Sequence, residues 1–262
     1  KTLDINSKKT ISKLCENKID IAISTWPKII EEDLIKKISL IIGTHPSNLP
    51  SNRGRHPLHW YLSLNIKKTT LSFFELTKKV DNGGIIHKEK FRIEENEDIF
   101  DFNKAMEKTS KTGIKNIFKK LASNKLKIKK QNTYNKSYFR KRNFFDTLID
   151  PRMTKNNIIN HIKSFCSPYP CASLIIDKNI LYIKKAEILK DNQMNPNNLI
   201  IEYGKVITIQ KEFLEIKVIN GFLRLYFKEN YTLNTVKYVY PPSYYITKYN
   251  NYYKEILHDF IK

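Results

Sequence analysis

The sequence predicts an α/β chain in two parts: an α/β domain over residues 1–150 built on a parallel sheet, then a small β-rich domain over residues 151–262. Three observations carry this. Short apolar runs alternate with amphipathic stretches through the first part, as in a parallel sheet with crossover helices. Asp150-Pro151 punctuates the middle of the chain. From Ala172 onward short alternating runs follow one another, with Asn220-Gly221 as a hairpin signal.

The elements follow in order. Ile11, Leu14 and Cys15 fall at helical spacing behind polar Asn6-Ser7. Asp20 to Ser24 reads as a short buried strand, Glu31 to Lys37 as a short helix and Ser39 to Gly43 as a second strand. His56 to Leu64 reads as a helix opening at Pro57, where the missing N–H costs nothing. Thr69 to Leu76 and Gly84 to Ile93 are strand-like. Two helices are expected next, Glu97 to Met106 and Lys111 to Ser123. In the second part Lys155 to Cys166 is amphipathic, with Ile158, Ile159, Ile162 and Phe165 on one face. The segments ASLII, NILYIKKAEI, GKVITI, FLEIKVI and FLRLYF then read as strands of a barrel-like β domain. The tyrosine-dense tail from Tyr238 closes on a helical stretch.

Charge and cysteine usage narrow the function classes. Lysine and arginine total 47 against 26 acidic residues, a formal charge of +21, which would attract nucleic acid, anionic membrane or phosphorylated substrates. The lysines are spread along the chain, with one dense stretch from Lys119 to Lys130 and a cluster at Arg140-Lys141-Arg142. With so much Ile and Asn and so little Gly and Ala, this reads as general compositional bias, and nucleic acid is not the expected partner. Cys15, Cys166 and Cys171 are too irregularly spaced for a disulfide framework or a CxxC metal site. His56 and His59, near His45, lack a carboxylate or cysteine to complete a ligand set, so no metal is expected. No apolar run approaches the ~18 residues that span a bilayer, and no signal peptide opens the chain. A cytoplasmic protein without membrane contact is the expectation.

The densest chemistry lies between residues 45 and 85. His45 ends an apolar run and opens the proline-bounded loop His45-Pro46-Ser47-Asn48-Leu49-Pro50. Arg53-Gly54-Arg55 follows, and Asp81 stands on the turn Asp81-Asn82-Gly83-Gly84-Ile85 after a further strand. Adjacent strand ends can thus bring an imidazole and a carboxylate together without a metal. Such a pair can take a proton from an amine and steady a developing oxyanion during acyl transfer. Pro46 and Pro50 stiffen the loop, and Gly83 and Gly84 are read as the positive-φ residues of the turn.

These segments resemble the folate-dependent formyltransferases, whose signature is HPSxLPxxRG followed by a DxGxI turn. The resemblance implies a Rossmann-like catalytic domain and a C-terminal OB-like domain, the latter through GKVITIQKEFLEIKVINGFLRL. Gln131, Arg142 and Asp146 are similar to the family's linker, and Ser167-Pro168-Tyr169-Pro170 to its interdomain turn. It implies His45 and Asp81 as catalytic residues and 10-formyltetrahydrofolate as the donor. Thr25, Trp26, Pro27, Lys28 and Ile29, with Val80, are implied to hold the donor.

Arg53-Gly54-Arg55 with Pro57, Leu58 and Trp60 resembles the RGRxPLxW form of enzymes that formylate nucleotide-linked amino sugars. Arg53 and Arg55 are then substrate residues, able to meet a diphosphate by charge-assisted hydrogen bonds. Methionyl-tRNA formylation is the alternative, followed by a catalytically impaired binding relative. Two departures from the family stand out. Gly43 occupies the place of a catalytic asparagine two residues before the histidine, leaving Thr44 or a backbone N–H as the substitute donor. The family's first strand, glycine turn and helix also lie upstream of Lys1, so the chain is either a fragment or an abbreviated domain. The oligomeric state stays open, a homodimer included.

Overall fold

The computed structural model describes residues 5–14, 16, 18–25, 30–132, 134–190, 200–233 and 236–248. The chain divides into two compact units. The first comprises residues 1–57, 67–94 and 102–141, and the second residues 58–66, 95–101 and 142–262. The division thus falls after Lys141, nine residues before the Asp150-Pro151 punctuation, and two short segments of the first part group with the second unit.

The first unit is built on a four-stranded sheet. Its strands are β1 (Ile21–Ser24), β2 (Leu40–His45), β4 (Lys68–Glu75) and β5 (Ile85–Arg92), side by side in that order. β1 and β2 run parallel, joined through α2 (Glu32–Lys37), as the sequence predicts. The other two pairings are antiparallel, so the sheet is mixed rather than parallel. For β4 and β5 the reason is local: residues 76–84 between them are too few for a crossover of a dozen or more residues. A two-residue strand β3 (Arg53–Gly54) pairs in parallel with β6 (Tyr138–Phe139). α1 (Lys8–Leu14) and α2 cover one set of apolar residues, where Ile11, Leu34, Ile38 and Ile41 are buried together. Met106, Ile114, Ile117 and Leu121 pack with Ile42, Leu71, Phe73 and Ile86.

Those four residues belong to α4 (Ile99–Ala122), a single helix of 24 residues where the sequence suggested two. The gap between the two expected helices, residues 107–110, contains no proline and no glycine. Thr109 and Thr112 satisfy their hydroxyls on the carbonyls of Ala105 and Lys108 at 2.8 and 3.3 Å within the continuous helix. Asp98 caps its start by accepting from Phe100 N and Asp101 N, while Asp101 accepts from Asp98 N.

The second unit contains α3 (Pro57–Ser63, from Leu58 on), α5 (Lys155–Ser164) and a five-stranded antiparallel sheet. That sheet orders β7 (Ala172–Ile176), β8 (Asn179–Leu189), β11 (Gly221–Phe227), β10 (Phe213–Val218) and β9 (Val206–Ile209). Ile158, Ile162 and Phe165 bury the predicted face of α5 against Leu174, Leu181, Leu214 and Leu223. Thr154 caps α5 and Asn220 Oδ1 accepts a further N–H from Lys155. In the β10–β11 hairpin Val218 pairs with Gly221, so the loop is Ile219-Asn220, one residue earlier than the Asn-Gly signal suggested. A short helix, α6 (Pro242–Lys248), follows.

Candidate active site

His45 closes β2, and its backbone pairs with Ser72 of the neighbouring β4. Ser72 is the lone hydroxyl in the otherwise apolar stretch LSFF and is fully buried. Its Oγ donates to Ser47 O at 2.6 Å and accepts from Leu49 N at 3.3 Å, which folds the HPSNLP loop back on the sheet. Ser47 Oγ closes the loop on Ser51 O at 2.7 Å. Lys88 on β5 ties the loop from outside, donating to Asn48 Oδ1 and Leu49 O at 2.7 and 2.6 Å; desolvation of its ammonium lowers its pKa.

His45 is 5% exposed. Nε2 lies 2.8 Å from Asn52 O. A carbonyl only accepts, so Nε2 carries a hydrogen; in the neutral form of the ring the lone pair is then at Nδ1. Nδ1 faces Asp81 Oδ2 at 3.6 Å, just outside direct hydrogen-bond distance. The two sequence-predicted catalytic residues are therefore brought together.

Asp81 itself takes the left-handed conformation, at φ 53°, whereas neither Gly83 nor Gly84 has a positive φ. The positive-φ role expected of the glycines thus belongs to the aspartate, a residue that tolerates αL. Gly83 answers a different demand: a Cβ there would stand 1.8 Å from Glu75 O. Asp81 Oδ2 also accepts Gly54 N–H at 2.9 Å, linking its turn to the RGR loop. Gln131 donates to Asp81 O and Gly83 O at 2.9 and 2.7 Å, fixing the turn from a segment fifty residues away.

Arg53 does not reach the site as a substrate group. It is 2% exposed, and its guanidinium donates to Gln131 Oε1 at 2.7 Å and Tyr138 Oη at 3.1 Å. It locks the loop and the Gln131 segment together. Arg55, by contrast, lines the cavity in front of His45, as do Thr44, Val80 and Asp81. That cavity measures about 410 Å³ and has an apolar wall of Ile30, Ile35, Phe74 and Leu76, with Ser24 and Thr77 beside it. Lys78 also lines it and pairs with Glu32 at 3.2 Å; Lys36 and Lys78 together hold the Glu32 carboxyl below its usual pKa. Of the predicted donor-binding stretch, Thr25 is exposed at the end of β1. Trp26, Pro27, Lys28 and Ile29 lie outside the described residues, but Ser24 and Ile30 on either side both line the cavity.

Gly43 also borders the cavity, and the space a side chain would fill there is occupied. An added Cβ would meet Leu76 Cδ2 at 2.5 Å and Phe74 Cζ at 3.2 Å. A side chain two residues before His45 would therefore have to displace Leu76. Gln131 and Ser72, which position the pair, were not singled out as site residues from the sequence. For Ser72 the available signal was a polar residue inside an apolar strand; for Gln131 it was only the linker resemblance.

Comparison with known proteins places this geometry. Residues 5–117 match the model described as formyl transferase, and residues 145–228 the model described as formyl transferase, C-terminal domain. The chain is 32% identical over 216 residues to the bifunctional polymyxin resistance protein ArnA of Wigglesworthia glossinidia brevipalpis, covering 81% of this chain and 33% of that protein. It is 26% identical over 184 residues to the methionyl-tRNA formyltransferase of Mesoplasma florum, covering 70% of this chain and 56% of the relative. The chain therefore spans between a third and just over half of these relatives. An N-formyltransferase from Helicobacter canadensis, solved with folinic acid and dTDP-3-aminofucose, superposes with a TM-score of 0.58 at 20% identity, covering 80% of this chain and 73% of that one.

Proposed function

The chain belongs to the formyl transferase family, and from that premise we propose that it transfers a formyl group from 10-formyltetrahydrofolate to the amino group of a nucleotide-linked amino sugar. One observation carries the proposal: His45, Asp81 and Arg55 meet at a single cavity with an apolar wall. Its volume lies within the usual range of small-ligand pockets, and apolar faces edged by hydroxyls and backbone groups suit a flat, polar-rimmed heterocycle such as a pterin. Bound there, the donor would supply an electrophilic formyl carbon. His45 Nδ1, with its lone pair toward Asp81, is the group to take the proton the acceptor amine must lose. Asp81 steadies the imidazolium so formed, and the proton can return to the departing nitrogen. The hydrogen bond from Nε2 to Asn52 O fixes the ring with Nδ1 toward Asp81, and both residues line the cavity. Arg55 is the cation at the cavity edge for an acceptor's phosphate, and Arg53 holds the loop that carries it. The proposed setting is the cytoplasm; among the described residues no helix is long and apolar enough to cross a membrane.

Support for the sugar acceptor comes from Arg55 within the stretch RGRHPLHW and from the dTDP-3-aminofucose held by the Helicobacter canadensis enzyme. The charge of +21 and the Mesoplasma florum relative favour a second reading, methionyl-tRNA formylation. A formyl-transfer assay with a panel of nucleotide-linked amino sugars and charged initiator tRNA, run from low to physiological salt, separates them. The sugar reading expects turnover on at least one sugar and a shallow salt dependence. Turnover on tRNA alone, with affinity falling steeply against log salt, would make the second reading correct. Inactivity on both classes would leave a binding relative.

A further inference from the structure

The loop from His45 to Arg55 has a second side. Leu49 and Pro50 border a separate depression of about 610 Å³ in the first unit, on which Lys88, Lys120, Lys125, Lys127, Lys129 and Lys130 converge. No aspartate or glutamate lines it. The nearby carboxylate of Glu89 is already engaged, accepting from His87 Nε2 at 2.7 Å and Asn116 Nδ2 at 2.6 Å. With its Nε2 hydrogen given to Glu89, His87 offers Nδ1 as an acceptor, and Lys120 Nζ donates to it at 2.9 Å. That contact orients the Lys120 ammonium and leaves its other hydrogens available. Among the described residues no salt bridge involves Lys125, Lys127, Lys129 or Lys130. Cations gathered around a concavity repel one another, and a multivalent anion relieves that repulsion in a way a single counter-ion does not.

We propose that this depression is a second ligand site, distinct from the His45 cavity, which takes a linear oligophosphate, either the free ion or the phosphate chain of a nucleotide. The residue types select this class. Lysine ammoniums are flexible point charges suited to phosphate oxygens spread along a chain, where a lone carboxylate would be better met by the fork of an arginine. No phenylalanine, tyrosine or tryptophan lines the depression, so it lacks the stacking platform used for single-stranded nucleic acid. The concavity has small-ligand dimensions. The proposal does not depend on the formyl-transfer reading.

The test is calorimetric titration of the full chain with tripolyphosphate at low and physiological salt, beside inorganic phosphate, a nucleoside triphosphate and a single-stranded oligonucleotide. The site variant is K127Q/K129Q/K130Q. A control of equal charge change, K8Q/K9Q/K13Q on α1, measures the general effect of net charge. Circular dichroism and Tm without ligand establish that both variants fold. One tripolyphosphate per chain is expected, with affinity falling at least about tenfold in the site variant and less than about twofold in the control, since long-range attraction is screened while local contacts persist. Equal affinity for tripolyphosphate and the nucleoside triphosphate would show that the phosphate chain alone is read. Tighter binding of the nucleoside triphosphate, lost in the site variant, would assign the site to the phosphate chain of a nucleotide. No stoichiometric binding, equal losses in both variants, or oligonucleotide affinity far above that of tripolyphosphate would overturn the proposal.

Discussion

Replacing Gly43 by alanine is expected to destabilise the protein, although a strand interior ordinarily favours alanine. At an unobstructed site the exchange would stabilise by roughly 0.5–1 kcal/mol, because glycine loses more backbone freedom on folding. Here the new Cβ would sit 2.5 Å from Leu76 Cδ2, 2.9 Å from Leu76 Cγ and 3.2 Å from Phe74 Cζ. The backbone cannot retreat easily: Gly43 pairs with Phe74, and Leu76 N donates to Ile41 O at 2.8 Å. The Leu76 side chain must turn instead. Overpacking of this kind costs roughly 1–3 kcal/mol, so the net loss should be about 0.5–2 kcal/mol, or a Tm lower by roughly 1–8 °C at this chain length. Thermal and urea unfolding of G43A, L76A and the double variant would measure it. The double variant should recover about 1 kcal/mol relative to the sum of the singles, as expected for residues in direct conflict. A G43A protein as stable as the parent, or strict additivity, would refute the argument. The same geometry governs G43N: the amide of the family motif must displace the Leu76 side chain, so G43N/L76A should be more active than G43N alone.

H45A and D81N should each lower formyl transfer by about a hundredfold or more in protein shown by its thermal unfolding to be folded, the scale of a proton-transfer or oxyanion group; near-normal turnover in either would remove the proposed site. Q131A should lower activity through the Asp81 turn and cost about 1–3 kcal/mol by leaving the buried Arg53 guanidinium short of an acceptor, read as coupled losses in unfolding and kinetics. Burial lowers His161 to about 4, from 6.5 in the unfolded chain. Between those values the unfolded chain binds a proton that the folded chain does not. The contribution is therefore complete above pH 6.5, declines as pH falls and levels off near 4, for a total of up to about 3 kcal/mol. Urea unfolding from pH 7 to 4 should show a smaller decline in H161Q; an unchanged slope would assign the acid loss to other groups.

Periodicity located most elements because each answers to one face. Ile158, Ile162 and Phe165 are buried on α5 as spaced, and α3 opens at Pro57. What stayed illegible depends on contacts distant in sequence. Nothing in Thr69 to Leu76 announces that it pairs antiparallel with β2, since a strand buried on both faces looks alike in either direction. His45 and Asp81 could be read from their punctuated loops. Arg53 could not be told from Arg55 by type or spacing: two residues apart, one faces Gln131 and Tyr138 while the other borders the cavity. The barrier at Gly43 was also hidden, because it is the bulk of Leu76, thirty-three positions away, that fills the space.

The dependence of the Asp81 turn on Gln131 bears on how this protein can be divided. The matched formyl transferase region ends at residue 117, yet the amide that holds Asp81 O and Gly83 O and the phenol that meets Arg53 both lie beyond it. A chimera spliced at residue 117 would inherit His45 and Asp81 with every local motif intact and still receive an unanchored turn. A junction placed after Lys141, where the first unit ends, carries the anchor with the chemistry. For swapping acceptor preference between relatives, the transplantable cassette is thus longer than the matched region.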